Sequence, residues 1–100
     1  MRAYALEAQQ NLAGVTYEAW AANRNQQIIT SHLLMIIGEA ASKVTKETQV
    51  ANPEIPWPRI ISMRNRIIHG YGEVDRDKVW DAASNWLAPL IAALDHLLSR

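Results

Sequence analysis

The sequence predicts an all-α protein, an up-and-down bundle of four main helices plus one short one, and three observations predict it. Apolar residues recur at three and four residues through the long segments and nowhere alternate in the two-residue period of a strand. The four prolines avoid the interior of most segments, and three of them crowd into one connection, Asn52-Pro53-Glu54-Ile55-Pro56-Trp57-Pro58. Residues that cap helices, Thr16 and Asp75, stand just before two of the segments.

From Tyr4 to Ala13 the residues are good helix formers, and Gly14 sits where a helix C-cap belongs. Thr16 caps a small second helix, Tyr17 to Ala22, in which Tyr17 and Trp20 are three apart and face a core together. Asn25 or Gln26 begins the strongest periodic segment, with Ile29, Leu33, Ile36, Ile37, Ala40 and Val44 on its stripe and an end expected near Glu47. Gly38 lies inside that pattern. It costs about 1 kcal/mol of helix stability relative to alanine, so the close approach of a neighbouring helix is its expected use. The proline-rich connection excludes helix in its middle, because each proline restricts the residue before it and lacks a donor. Trp57 is an available anchor, and Pro58 suits the first turn of a helix running from about Arg59 to Ile68, with Ile60, Met63 and Ile67 inward and Gly70 and Gly72 ending it. Val74-Asp75 supplies the next cap, with Asp77 in the first turn. The last helix carries Val79, Ala83, Trp86, Leu87, Leu90, Ile91, Leu94 and Leu98, and Pro89 should kink it near Asn85 or Trp86.

One hundred residues suit a single domain spanning 1–100, and a chain this short gains stability by pairing with a second copy, so a dimer is expected. Ten basic and ten acidic residues cancel, so any affinity for nucleic acid must come from a local cluster. Cysteine is absent, which excludes disulfides, thiolate nucleophiles and zinc-thiolate centres. Met1 to Glu7 has no apolar core of signal-peptide type, and the longest aliphatic run, Leu33 to Ile37, is far too short to span a bilayer. The expectation is a cytoplasmic protein with no membrane segment and no cofactor.

The chemistry-bearing stretch is Ser62-Met63-Arg64-Asn65-Arg66-Ile67-Ile68-His69-Gly70-Tyr71. Arg59, Arg64 and Arg66 lie between Pro58 and Gly72 with no acidic residue among them, which points to an anionic ligand. On an ideal helix Asn65 and His69 share a face and Arg66 flanks them, whereas Arg64 and His69, five apart, diverge by about 140°. For Arg64 and His69 to meet at one phosphate, the helix end must loosen at Gly70 or a second subunit must contribute. The mismatch predicts a cleft between two-fold-related protomers. A guanidinium binds phosphate bidentately and stabilises the added charge of five-coordinate phosphorus. Histidine transfers protons near neutral pH, and RNA brings its own 2′-hydroxyl nucleophile, so these groups suffice for RNA cleavage without a metal.

The plainer readings stand beside this one. A histidine before a glycine at a helix end often just donates to orphan carbonyls, and surface arginines are commonly solvated. Taken alone, Tyr71 reads as a packing residue, Asn65 as a surface polar, His32 as a satisfied or boundary histidine and His96 as a solvated helix-end residue. Glu39 is as plausible as a buried partner for Arg64 or Arg66 as in a catalytic role, and one carboxylate does not make a metal site. The four tryptophans read as core and interface anchors before base-stacking platforms.

Five blocks in order, Ile36-Ile37-Gly38-Glu39-Ala40, Asn52-Pro53-Glu54-Ile55-Pro56-Trp57, Met63 through Tyr71, Val74-Asp75 and Val79-Trp80, resemble the HepT-like ribonucleases of the HEPN superfamily, over nearly the whole chain from Leu12 onward. The resemblance implies a helical, dimeric, metal-independent endoribonuclease, the toxin of a toxin-antitoxin pair of the type VII kind, whose partner is a minimal nucleotidyltransferase antitoxin. Arg64 and His69 match the Arg-x4-His pair of the family's catalytic cleft, and Asn65 matches the polar position after the arginine. Tyr71 matches the tyrosine of Arg-x4-His-x-Tyr, to which the antitoxin transfers AMP. Arg59 and Arg66 are expected to bind RNA phosphates. His32 stands where many relatives carry arginine. A non-catalytic module that binds a nucleotidyltransferase or a nucleotide through the same basic cleft is the alternative, and a bundle whose motif only builds the dimer is a third reading.

Overall fold

The structure, a computed structural model, describes residues 1–69 and 76–99, with His69 described through its backbone alone. Those residues form seven helices: α1 (Arg2–Leu12), α2 (Tyr17–Ala21), α3 (Arg24–Ser42), α4 (Lys46–Ala51), α5 (Trp57–His69), α6 (Arg76–Asn85) and α7 (Leu87–Leu98). The all-α expectation holds, and the bundle is a slab of 41 × 29 × 16 Å between Cα atoms. At the 8–10 Å typical between packed helices, its thinnest dimension is about two helices deep.

Local chemistry sets the ends. Gly14 carries the positive φ of 74° that turns the chain after α1, and the Thr16 hydroxyl accepts from the Ala19 amide at 3.2 Å to start α2. Asn23 opens α3 in the same way, its Oδ1 accepting from the Gln26 amide at 3.0 Å. Against expectation, α3 stops at Ser42 and not near Glu47. Thr45 is extended and its hydroxyl accepts from the Thr48 amide at 3.2 Å, so a new short helix, α4, begins where the long one was expected to continue. The helix expected from Arg59 starts two residues earlier, at Trp57, because Pro58 fits its first turn and Trp57 is clamped into the core with its indole donating to the Asn52 carbonyl at 3.0 Å. The last helix, expected to kink, is divided at Trp86. Pro89 has no amide hydrogen for the Asn85 carbonyl, so the ladder breaks there, and Pro89 falls in the first turn of α7. Gly70, Gly72, Val74 and Asp75, expected to end one helix and cap the next, lie outside the described residues.

The core joins α1, α3, α5, α6 and α7 through Ala5, Ala8, Leu33, Leu34, Ile37, Ala41, Ile60, Met63, Ile67, Val79, Ala83, Leu87, Leu90 and Leu94. Tyr17, Trp20 and Trp80 stack as an aromatic trio with centroids 5.3 to 6.3 Å apart, tying α2 to α6, and the buried Trp20 indole donates to Thr30 at 3.1 Å. An Arg2–Asp95 ion pair links α1 to α7. The apolar stripe expected on α3 divides between two faces. Leu33 and Ile37 are buried, whereas Ile29 is 44% exposed and Ile36 only half-buried, because the helix is apolar on more than the face the bundle covers. Leu98, expected on the inner face of the last helix, is 69% exposed.

The most extensive packing in the chain is between α3 and α5, and Gly38 makes it possible. A β-carbon at Gly38 would lie 2.2 Å from the Arg64 Cβ and 2.9 Å from the Ile60 carbonyl oxygen, both fixed to the α5 backbone, so only separation of the helices could admit it. Gly38→Ala is therefore expected to lower stability by about 1–3 kcal/mol despite alanine's better helix propensity, a Tm drop of several degrees for a domain this size. A thermal unfolding curve at or above wild type would refute the close approach.

Candidate functional site

α5 lies at the edge of the slab, and its inward stripe of Ile60, Met63 and Ile67 fixes where its polar residues go. Arg64 falls on the side of α3. Its stem crosses Gly38, and its head meets Glu39 one residue further along α3: Nε donates to Oε2 at 2.8 Å, and Nη2 lies 2.6 Å from the same oxygen. The third nitrogen, Nη1, donates to the Asn65 side-chain oxygen at 2.6 Å. The guanidinium is held on both edges yet stays accessible, with the two side chains 26% and 43% exposed for Arg64 and Glu39. Five N–H donors cannot be exhausted by these contacts, so the terminal nitrogens keep donors for another anion.

Beside the pair is an apolar hollow of about 390 Å³ lined by Met35, Ile36, Glu39, Ala40, Lys43 and Ile68. Ile68 is 43% exposed, and with Ile29, Ile36 and Ala40, which align along α3, it continues the hollow into an apolar strip left uncovered among the described residues. Arg59 and Arg66 are not on this side. They are exposed and line a separate groove between α5 and the α6–α7 junction. The three arginines of the motif thus divide, one to the α3 side and two to the other. Asn65 is exposed, and its partner is Arg64. His69 closes α5, its side chain lying outside the described residues together with Tyr71, so the distance from Arg64 to either falls outside them too. His32, expected as a satisfied or boundary histidine, is exposed on α3, and His96 is exposed in the last turn of α7 as expected. Among the described residues no three His, Asp or Glu side chains converge on one point, and no helix is long and apolar enough to cross a membrane.

The family model for ribonuclease HepT-like proteins matches residues 1–97. The chain belongs to the HepT-like ribonuclease family. It is similar to the "Probable ribonuclease HepT" of Thermococcus cleftensis, 32% identical over 83 residues, which cover 83% of this chain and 76% of that protein. Two Methanocaldococcus jannaschii proteins, "Putative RNase MJ0125" and "Putative RNase MJ1216", are each 34% identical over 67 residues, or 67% of this chain, and the match spans little more than half of their lengths, 58% and 55%. No solved structure matches the chain.

Within this HepT-like chain, the sequence left Glu39 as a buried partner of Arg64 or Arg66; geometry assigns it to Arg64, and the pair is solvent-reached and not buried, because α3 and α5 cross at the surface. Lys78 was given no role and Trp86 was read as a core residue, and both line the groove of Arg59, Ser62 and Arg66. Nothing in helical periodicity links Lys78 to α5, because the two residues meet only through the tertiary fold. Water reaches the Arg64–Glu39 pair, so it contributes little to stability. Glu39→Gln is expected to change the unfolding free energy by no more than about 1 kcal/mol in urea denaturation. A loss of about 3 kcal/mol or more, the size expected for a broken buried pair, would make it a structural element and not a positioning one.

Proposed function

We propose that this HepT-like chain is a metal-independent endoribonuclease, cytoplasmic, and the toxin of a toxin-antitoxin pair. The observation that carries the reading is the Arg64 head, held by Glu39 and Asn65 at the open edge of a helix that ends at His69. In the proposed reaction the 2′-oxygen of RNA attacks the adjacent phosphorus, an O–P bond forms as the bond to the 5′-oxygen breaks, and a cyclic phosphate and a 5′-hydroxyl result. One proton leaves the 2′-hydroxyl and one reaches the leaving oxygen, and His69 acts in one of these transfers as general base or acid. Arg64 stabilises the charge on the phosphoryl oxygens, and Asn65 positions Arg64.

The apolar strip of Ile29, Ile36, Ala40 and Ile68 is the proposed dimer face. Its nearness to Glu39 and Arg64 supports a cleft shared by two chains, in which Arg64 and the histidine need not come from the same helix turn. A minimal nucleotidyltransferase is the proposed antitoxin, transferring AMP to Tyr71. An adenylate two residues from His69 adds bulk and negative charge that repel an RNA backbone. One observation favours the non-catalytic reading: Glu39 already neutralises Arg64, as it would in a module that only binds.

Cleavage assays separate the two. Unmodified protein is expected to cut RNA in the presence of EDTA, with His69→Ala slower by about 10²-fold or more and Arg64→Lys, which loses the planar fork, slower by at least about tenfold. RNA left intact by wild type, or equal rates for wild type and His69→Ala, would sink the nuclease. Adenylate additions to Tyr71 in the mass spectrum after incubation with the nucleotidyltransferase and ATP would establish the modification.

Ile36→Glu, which places a charge in the strip without touching the core, is expected to yield a helical monomer by sedimentation and to lose most cleavage. A dimer that survives this change would locate the interface elsewhere.

A further inference from the structure

The groove on the far side of α5 is a distinct feature from the Arg64 cleft. Arg59, Ser62 and Arg66 recur at three and four residues and so share one face of the helix, and Lys78 of α6 lies across from them. The space between is about 500 Å³, with Met63 at the α5 wall and Trp86, half-buried at the α6–α7 break, at the other. None of Arg59, Arg66 or Lys78 makes an ion pair among the described residues, in contrast to Arg64. Among the described residues one acidic side chain lines the groove, Asp81, and its carboxylate accepts from the Asn85 amide at 2.6 Å. Three cations against one carboxylate make the described lining of the groove positive in a chain of zero net charge.

We infer that this groove binds a single-stranded stretch of RNA that flanks the cleaved phosphodiester, taking it by its phosphates and stacking a base on Trp86. The inference rests on the RNA reading above and extends it to where the strand runs. Arg59 and Arg66, seven residues apart, are separated by about 10 Å along the helix axis, the span of about three stacked nucleotides. A pocket for one phosphate would bring its cations together, whereas these form a row. The indole at the groove wall supplies a platform that accepts any base, the mode in which single strands are held without sequence preference. The row also leads toward the motif, because Arg66 precedes His69 by three residues, about 4.5 Å of helix. A strand bound along α5 therefore approaches the end of the helix where cleavage is proposed.

The test uses the full wild-type chain and a 12-nucleotide 2′-O-methyl RNA, which binds but lacks the nucleophile, with binding read by fluorescence anisotropy across a salt series. The double variant Arg59→Gln, Lys78→Gln is expected to weaken binding by about tenfold at low salt. It should also lower the slope of log affinity against log salt by about 1.4, the loss of two phosphate contacts at about 0.7 each. Far-UV circular dichroism of the variant should match wild type, since both substitutions are at exposed positions. Quenching of tryptophan fluorescence by the 12-mer should fall in Trp86→Phe. Unchanged affinity and slope in the double variant would overturn the groove while leaving the nuclease intact if that variant still cuts RNA. Loss of binding in the double variant, beside a wild type that binds but never cleaves, would uphold the groove and sink the nuclease. AMP competing as effectively as the 12-mer would overturn the strand in favour of a mononucleotide pocket.

Discussion

The contact on which the rest depends is the crossing of α3 and α5 at Gly38. Without a side chain there, the α5 backbone comes close enough for the Arg64 stem to lie over α3, and Glu39, the next residue on α3, falls within reach of its head. One glycine therefore sets both the packing of the two most closely joined helices and the position of the guanidinium. The cost of a glycine within a helix, about 1 kcal/mol, is small beside the burial of Ile37, Ile60 and Ile67 that the approach allows.

From that crossing follows the division of α5 into two working faces. Its inner stripe is committed to the core, so its polar residues can emerge only on either side. Arg64 and Ile68 lie toward α3, next to an apolar hollow and a tethering carboxylate. Arg59, Ser62 and Arg66 lie toward α6 and α7, beside Lys78 and an open groove. The slab's thinness leaves Arg64 half-buried on one side of α5 and Arg59 and Arg66 exposed on the other. A helix with one polar face would bring all three arginines to one side. This one divides them between two.

Much of this was legible in the residues, and the misses have physical reasons. Gly38 broke an apolar pattern at a cost that only close packing repays, and it could be read as such. Trp57, Pro58 and the stripe of Ile60, Met63 and Ile67 obeyed local rules and emerged as expected. The end of α3 did not, because Thr45 competes with the helix through its own hydroxyl, a choice that periodicity does not register. Ile29 and Ile36 carried the period of a core stripe yet are exposed and half-buried, since an apolar pattern does not distinguish a face the bundle covers from one it leaves open. The Arg64–Glu39 pair was foreseen as one of two pairings, and the choice needed the crossing of the helices. Lys78 and Trp86 joined Arg59 and Arg66 only through the tertiary arrangement, so no spacing announced them.

Pairing with a carboxylate does not disqualify Arg64 from binding phosphate, because the geometry removes the conflict. Nε and Nη2 address a single Glu39 oxygen and Nη1 addresses Asn65, so the terminal nitrogens retain donors directed away from these partners. A second anion can be received without expelling the first. The pair is solvent-reached, so it spends little stability, while fixing the side chain lowers the entropy lost when a phosphate is gripped. Neutralisation by Glu39 does forfeit long-range attraction, and that task falls to cations that form no ion pair among the described residues. On the proposed reading the two faces of α5 answer two requirements that one arginine meets poorly: Arg59, Arg66 and Lys78 draw and hold the polyanion, and Arg64, nearly neutral as a pair, supplies donors in fixed positions where charge develops.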